Sequence, residues 1–284
     1  MIEKLWAALW ISWRFAGYKP RPISPRVVWA WLSQFEPRER SLLLRLVEHV
    51  QFISENELKR KLIAENERLV KRLNYAGIPN EKIIYVQFDD AGSSSAVTLN
   101  LLRDGGLLER LGFKWMDYKR VSDFHTLTNS IEEGAIIYVD DFIGSGGQFS
   151  KCHQFCSEYI SGNFSQFLLA GCICEEAFKV LDERNVEPMP CLMHGKKERP
   201  LLGLKDVFTN KEIEALQVIC KRVADNGSTG LGYGDMASMV VLYRNTPNNT
   251  PFAIRGTIGQ VPFKGVFPRT TDLVSLSQAK ARRN

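Results

Sequence analysis

The segment Ile136–Gln148, IIYVDDFIGSGGQ, constrains this chain more than any other stretch. An apolar β-type run, Ala135–Val139, meets two carboxylates at once, Asp140 and Asp141. Phe142 and Ile143 follow, then Gly144-Ser145-Gly146-Gly147, then a helical pattern over Gln148–Ile160. Strand, acid pair, glycine turn and helix in that order describe one step of an open α/β sheet. Ligands collect there beyond the carboxyl ends of the strands. Glycines let successive amides curl around an anion. The following helix adds its positive end, and Ser145 adds a hydroxyl donor. The expected phosphate-binding residues are therefore Gly144, Ser145, Gly146, Gly147 and Gln148. Asp140 and Asp141 would repel a phosphate at contact distance. They suit ribose hydroxyls a little further on, or a hydrated Mg²⁺ held indirectly through ribose or water. Phosphate on the glycines and sugar on the acids describes a pentose 5-phosphate. A Walker loop is excluded because no lysine follows the glycines. A dinucleotide fingerprint is excluded because the acids precede the glycines instead of following them.

The rest of the chain supplies a frame for that step. Lys82–Phe88 reads as an earlier strand, followed by a helix-like stretch over Ala96–Leu111. Gln166–Ile173 is a third strand, with a helix over Glu175–Glu183, and Pro188–Met193 is a fourth candidate. Lys211–Ala224 reads as a helix, and Ser238–Tyr243 closes the series as a strand. Apolar strands alternating with helices predict an α/β fold, with a parallel sheet covered on both faces. Residues 1–78 read differently, as a run of helices. Val28, Trp29, Trp31, Leu32 and Phe35 recur at helical spacing, and Ser54 with Glu57 forms a capping box before Leu58, Leu62, Leu69 and Leu73. The expected division is thus a helical region over 1–78 and an α/β domain over 79–284.

Composition narrows the function classes. The chain has 284 residues and a formal net charge of +5, mild enough to suit a polyanionic small molecule without arguing for nucleic acid. No apolar run reaches the roughly 18–20 residues of a membrane span. The opening MIEKLWAALWISWRF reads as a packed helix, with a membrane-surface or partner-binding helix as the alternative. The cysteines at 152, 156, 172, 174, 191 and 220 form no CxxC pair, so reduced, buried thiols and a cytoplasmic setting are expected. His125 and His194 read as structural histidines. Lys114, Lys119 and Arg120 lie between the two strand-end loops. They either bring charge to a mobile lid or are solvated surface cations.

The string Asp140-Asp141 followed by Ser145-Gly146 resembles the PRPP-binding motif of the type I phosphoribosyltransferases. The resemblance implies that the two acids, the catalytic candidates, bind the ribose 2- and 3-hydroxyls while the loop binds the 5-phosphate. It also implies an earlier pyrophosphate loop after the first core strand. The matching stretch is Asp89–Ser95, with Ala91, Gly92, Ser93 and Ser94 as its donors. That loop departs from the family pattern, because it carries two acids and neither Arg nor Lys. Mg²⁺ bound with the substrate is the implied cofactor.

A broader resemblance joins Trp31–Phe35, Ser41–Leu62, DDFIGSGGQ, Gly232-Tyr-Gly-Asp235 and Asn245-Thr-Pro-Asn-Asn-Thr250. It is similar to the phosphoribosyltransferase-like effectors of bacterial anti-phage defence systems, including the retron type. This implies a PRPP or nucleotide ligand and chemistry at a ribosyl anomeric carbon. It also implies protein or ribonucleoprotein partners within a defence complex. An inactive nucleotide sensor or interaction subunit is the alternative. Asn245, Asn248 and Asn249 are candidates for reading a base or closing a C-terminal hood. Asn245–Thr250 is equally readable as a tight structural turn.

Overall fold

Side chains one residue apart on a strand face opposite ways, so runs apolar at every position must be covered on both sides. The computed structural model shows how that is achieved. It describes residues 2–88, 94–106, 108–117, 120–203, 207–224, 227–257 and 263–269. The elements begin with α1 (Ile2–Arg14), α2 (Pro25–Leu32), α3 (Pro37–Glu48), β1 (Gln51–Ile53) and α4 (Glu55–Tyr75). Next come β2 (Ile83–Gln87), α5 (Ser94–Gly106), β3 (Lys114–Asp117), α6 (Val121–Ile131), β4 (Glu133–Ile143) and α7 (Gly147–Ser157). Then follow β5 (Asn163–Cys174), α8 (Glu175–Glu183), β6 (Val186–Pro190) and β7 (Met193–His194). The chain ends through α9 (Asn210–Arg222), β8 (Val240–Leu242), α10 (Phe252–Arg255), β9 (Gly256–Thr257) and β10 (Phe263–Lys264).

Two compact units result. One comprises residues 56–194, the other residues 1–55 with 195–284. This division differs from the expected boundary at 78/79. The long helix α4 belongs with the sheet, because its apolar stripe is one of the sheet's covers.

In the sheet unit the strand order is β3-β2-β4-β5-β6, all parallel, with β7 pairing the far end of β5. On one face Ile84, Val86, Ile136, Tyr138, Leu168 and Ala170 pack with Phe124 and Ile131 of α6, Phe149 and Cys156 of α7, and Ala177 and Leu181 of α8. On the other face the Tyr85 hydroxyl donates to Asn66 Oδ1 of α4 at 2.6 Å. Gly171 of β5 lies under α4, where a Cβ would fall 2.5 Å from Leu58 Cδ1 and 2.6 Å from the Asp141 carbonyl oxygen. The α/β fold with a doubly covered parallel sheet is as expected.

Several boundaries moved. β4 runs through both acids to Ile143, where the sequence suggested an end at Val139. The cause is β5, which is long enough to keep β4 paired as far as Ile143↔Ile173. β3 and α6 had no clear counterpart in the pattern. β3 is a four-residue edge strand whose only apolar residues are Trp115 and Met116, too short to show a period. Ser238–Tyr243 does contain a strand, β8, but it pairs in parallel with β1 in the other unit.

That other unit has its own core. Ala8 and Ile11 on the inner face of α1, with Phe15 just after it, join Trp31, Leu43, Leu46, Leu216, Met239, Val241 and Phe267. Trp31 Nε1 donates to the Ala253 carbonyl at 2.8 Å, satisfying the indole in an apolar setting. Helix α9 opens with a capping box between Thr209 and Glu212. Among the described residues, no helix is long and apolar enough to cross a membrane.

Candidate functional site

The sheet order reverses between β2 and β4, which places a crevice beyond their carboxyl ends. β2 stops pairing with β4 at Gln87↔Val139. β4 continues against β5 alone, through Asp140↔Ala170 and Phe142↔Cys172. Asp140 and Asp141 therefore stand where one neighbouring strand has ended. Both are sunk in the fold, 6% and 4% exposed respectively.

Two serines tie this corner together. Ser94 Oγ donates to Asp140 Oδ1 at 2.7 Å, and the same oxygen accepts the Asp141 amide at 2.8 Å. Ser95 Oγ donates to the Val139 carbonyl at 2.6 Å and accepts the Phe88 amide at 3.0 Å. The first turn of α5 is thus bonded to the ends of β2 and β4 together. Sequence reading placed Ser94 in the pyrophosphate loop and counted Ser95 with it among three serines able to donate to a diphosphate; the Ser95 hydroxyl is instead bonded within the fold. A buried serine at a helix start beside a strand end is a signal for such a tie.

The glycine turn follows. Gly146 is the N-cap of α7, with φ of 79°, a left-handed conformation that glycine adopts without strain. A Cβ there would also lie 3.2 Å from the Val180 side chain. Among the described residues no side chain caps α7 from Gly146, and the first true helical bond runs from the Ser150 amide to the Gly146 carbonyl at 2.8 Å. Gly147 and Gln148 are exposed, while Gly144 and Ser145 are half-buried. Ser145 Oγ lies 3.7 Å from the point where a Gly147 Cβ would stand, so the hydroxyl is at the mouth of the turn. A helix start with an exposed glycine approach and a hydroxyl beside it is chemically an anion seat.

Packing holds α7 in place. The Phe149 ring meets Tyr138 and Phe88 edge-on, with centroids 5.3 and 5.5 Å apart. The His153 Nε2–Gln166 Oε1 and Tyr138 hydroxyl–Gln166 Oε1 contacts, 2.9 and 3.0 Å long, lie behind it. Burial holds the His153 imidazole below its ordinary pKa. The Gln166 contact opposes that shift and Arg184 adds to it. Arg184 Nη2 also donates to Ser150 Oγ at 3.0 Å, one turn into the helix.

Sequence comparison decides the family. A model of the PRTase-CE family matches residues 28–269. The chain belongs to the PRTase-CE family. No curated protein matches it. Among solved structures it is similar to an orotate phosphoribosyltransferase from Aeropyrum pernix. That match has 15% identity and a TM-score of 0.33, over 53% of this chain and 78% of that one.

The remaining candidates of this PRTase-CE chain fall in three places. Ala91, Gly92 and Ser93 lie outside the described residues, as do Asp89, Asp90 and Lys119. Asn245, Asn248 and Asn249 belong to the unit formed by residues 1–55 and 195–284. Asn249 is buried there, and its Nδ2 donates to the Tyr233 carbonyl at 3.0 Å. Lys114 is a strand residue of β3, and Arg120 is an exposed side chain 4.0 Å from the Asp123 carboxylate.

The histidines and thiols take structural places in the described fold. His125 Nδ1 faces the Tyr159 carbonyl at 3.4 Å, and its Nε2 faces Asn129 Nδ2 at 3.0 Å. His194 is fully buried in β7. The six cysteines are free thiols, and burial pushes those of Cys156, Cys191 and Cys220 up to about 12. Such thiols are poor nucleophiles and poor ligands at neutral pH. Among the described residues no cluster of three or more His, Cys, Asp or Glu could hold a metal ion.

Proposed function

We propose that the carboxyl end of β4 binds a ribose 5-phosphate-type ligand, PRPP or a nucleotide, and that the chain acts at its anomeric carbon. The observation that carries this reading is the join at residues 140–148. A pair of sunken acids there runs directly into a left-handed glycine N-cap with an adjacent serine hydroxyl. In this reading the turn Gly144–Gln148 takes the 5-phosphate. Asp140 and Asp141 take the ribose hydroxyls. The bond from the anomeric carbon to its diphosphate or base breaks, the leaving group keeping the electron pair, while a nucleophile (an acceptor's nitrogen or oxygen, or water) bonds to that carbon; positive charge develops on the ribose ring in between. The acids orient the ring and stabilise that charge. Their two carboxylates suit a hydrated Mg²⁺ carried by the ligand, which would neutralise a leaving diphosphate. The wider role proposed is that of an effector in a bacterial anti-phage defence complex with protein or ribonucleoprotein partners. It is supported by the resemblance across DDFIGSGGQ and Asn245–Thr250.

A second reading has an observation of its own. Asp140 Oδ1 already accepts two hydrogen bonds, from Ser94 and from the Asp141 amide. An acid held in this way serves a sensor that binds its ligand without turning it over.

Incubation with PRPP, NAD and nucleotides in the presence of Mg²⁺ separates the two. Release of diphosphate or free base, abolished by Asp140→Asn with Asp141→Asn, is the outcome expected of the enzyme. Binding without release across that panel selects the sensor. No binding of ribose 5-phosphate, PRPP or nucleotide overturns both.

A further inference from the structure

Helix α1 is apolar on two opposite sides. Ala8 and Ile11 face the core. Leu5, Trp6, Leu9, Trp10 and Trp13 are exposed, Trp6 by 67% and Trp13 by 79%. Positions 5, 9 and 13 are four apart, as are 6 and 10, so these five side chains form one continuous stripe. A helix that is apolar all round is ordinarily covered all round. Large apolar residues scattered singly over a surface need no explanation, but three tryptophans on one stripe do.

The stripe is held firmly. Arg14 Nη1 and Nη2 donate to the Glu48 and Val50 carbonyls, each at 2.9 Å, and so tie the end of α1 to the end of α3. The same guanidinium lies over the Trp10 ring, 4.9 Å from its centroid. The outer face of α1 is therefore presented on a fixed platform, with little ordering left for a partner to impose.

We propose that this face docks on an anionic lipid surface, with α1 lying in the plane of the interface. At 1.5 Å per residue its 13 residues span roughly 20 Å, well short of the ~30 Å hydrocarbon core, so it suits lying on a bilayer and not crossing one. Tryptophan has an apolar ring and an N–H that needs an acceptor. The headgroup layer supplies both an apolar boundary and acceptor oxygens. A dry protein interface would have to place an acceptor for each indole. Charge separates the remaining occupants. Residues 1–35 carry five Lys or Arg against one acid, Glu3, and Glu48 beside Arg14 offsets one of the five. Arg26 is exposed on α2, the helix that packs against α1. A second copy of this chain would set that positive excess against itself, whereas anionic headgroups complement it. Docking through α1 requires nothing of the site at the end of β4.

Flotation of the full chain with vesicles tests the assignment. Vesicles of equal parts phosphatidylcholine and phosphatidylglycerol are expected to bind it roughly tenfold more tightly than phosphatidylcholine alone, and added salt should narrow that gap. On the mixed vesicles, tryptophan emission should move to shorter wavelength and be quenched by brominated acyl chains. Trp6→Ala with Trp13→Ala removes two side chains that lie mostly in solvent, so the melting temperature should hold. Affinity for the mixed vesicles should fall at least about tenfold. Absence of binding to the mixed vesicles overturns the proposal, as does equal binding to both kinds or binding without quenching. Undiminished binding by a folded double variant does the same. A concentration-dependent dimer that the double variant dissolves, with no lipid binding by the unaltered chain, assigns the face to a second copy instead.

Discussion

After β4 the chain passes through Gly144-Ser145-Gly146-Gly147. After β8 it passes through Asn245-Thr246-Pro247-Asn248-Asn249-Thr250. Both turns are rich in polar groups and follow a buried strand. They differ in where those groups are directed. In the second turn Asn249 Nδ2 serves the Tyr233 carbonyl and Met236 Sδ, at 3.0 and 2.8 Å. The Asn249 carbonyl accepts the Ser238 amide and the Asn248 carbonyl accepts the Tyr233 amide, each at 2.9 Å. Thr246 Oγ1 pairs with the Tyr18 hydroxyl at 2.9 Å. Gly232, with φ of 88°, packs so close that a Cβ would fall 2.4 Å from the Asn249 carbonyl. The first turn faces outward instead, with Gly147 and Gln148 exposed at a helix start. A polar turn whose groups knit neighbouring loops together is a fastener. One whose helix end opens outward is a seat for an anion.

The largest effect expected from this contrast is on stability. Asn249→Ala removes the amide that bonds the part-buried Tyr233 carbonyl and the buried Met236 sulfur and should destabilise the chain by about 1–2 kcal/mol. Denaturant unfolding would read that loss. Ribose 5-phosphate affinity should stay within about twofold, and a larger fall would break the contrast by giving this turn a ligand role. Ser145→Ala should do the reverse. It removes one hydroxyl donor at the mouth of the glycine turn, so affinity for ribose 5-phosphate should fall roughly fivefold, for about 1 kcal/mol, with little change in melting temperature. Unchanged affinity would remove Ser145 from the seat.

The smallest effect is one of pH. His153 behind α7 is held below its ordinary pKa by burial, so the unfolded chain takes up its proton first. Its contribution to stability is then present above the unfolded value of about 6.5 and is lost as pH falls through the lower folded value. The slope from this one group cannot exceed about 1.4 kcal/mol per pH unit. Urea midpoints measured between pH 7.5 and pH 5 should therefore decline less steeply in His153→Gln. An identical decline would show that His153 does not titrate on unfolding.

The site was legible to the extent that it is local. Strand, acids, glycines and helix are contiguous from Ile136 to Gln148, and their order survives in β4 and α7. The position of the acids within the strand was not legible, because it depends on how far β5 continues beside β4. Gly171 left a trace, as a glycine inside an apolar run, and such glycines mark close approach. Its partners, Leu58 and the Asp141 carbonyl, are far off in sequence.

What the sequence determined by itself is the set of features that span a few residues. These are the alternation of strands and helices, the glycine needed at a left-handed N-cap, and the charge placed just before it. Backbone geometry and side-chain period act at that range, so they can be read along the chain. Only the tertiary structure decided which strands neighbour one another, so that β8 left the main sheet for β1 while α4 joined the sheet's cover. It also decided which polar groups were used up in the fold. Asn249 and Ser145 look equally available as text. Hydrogen-bond partners far apart in sequence occupy the first, and the open start of α7 leaves the second at the mouth of a turn.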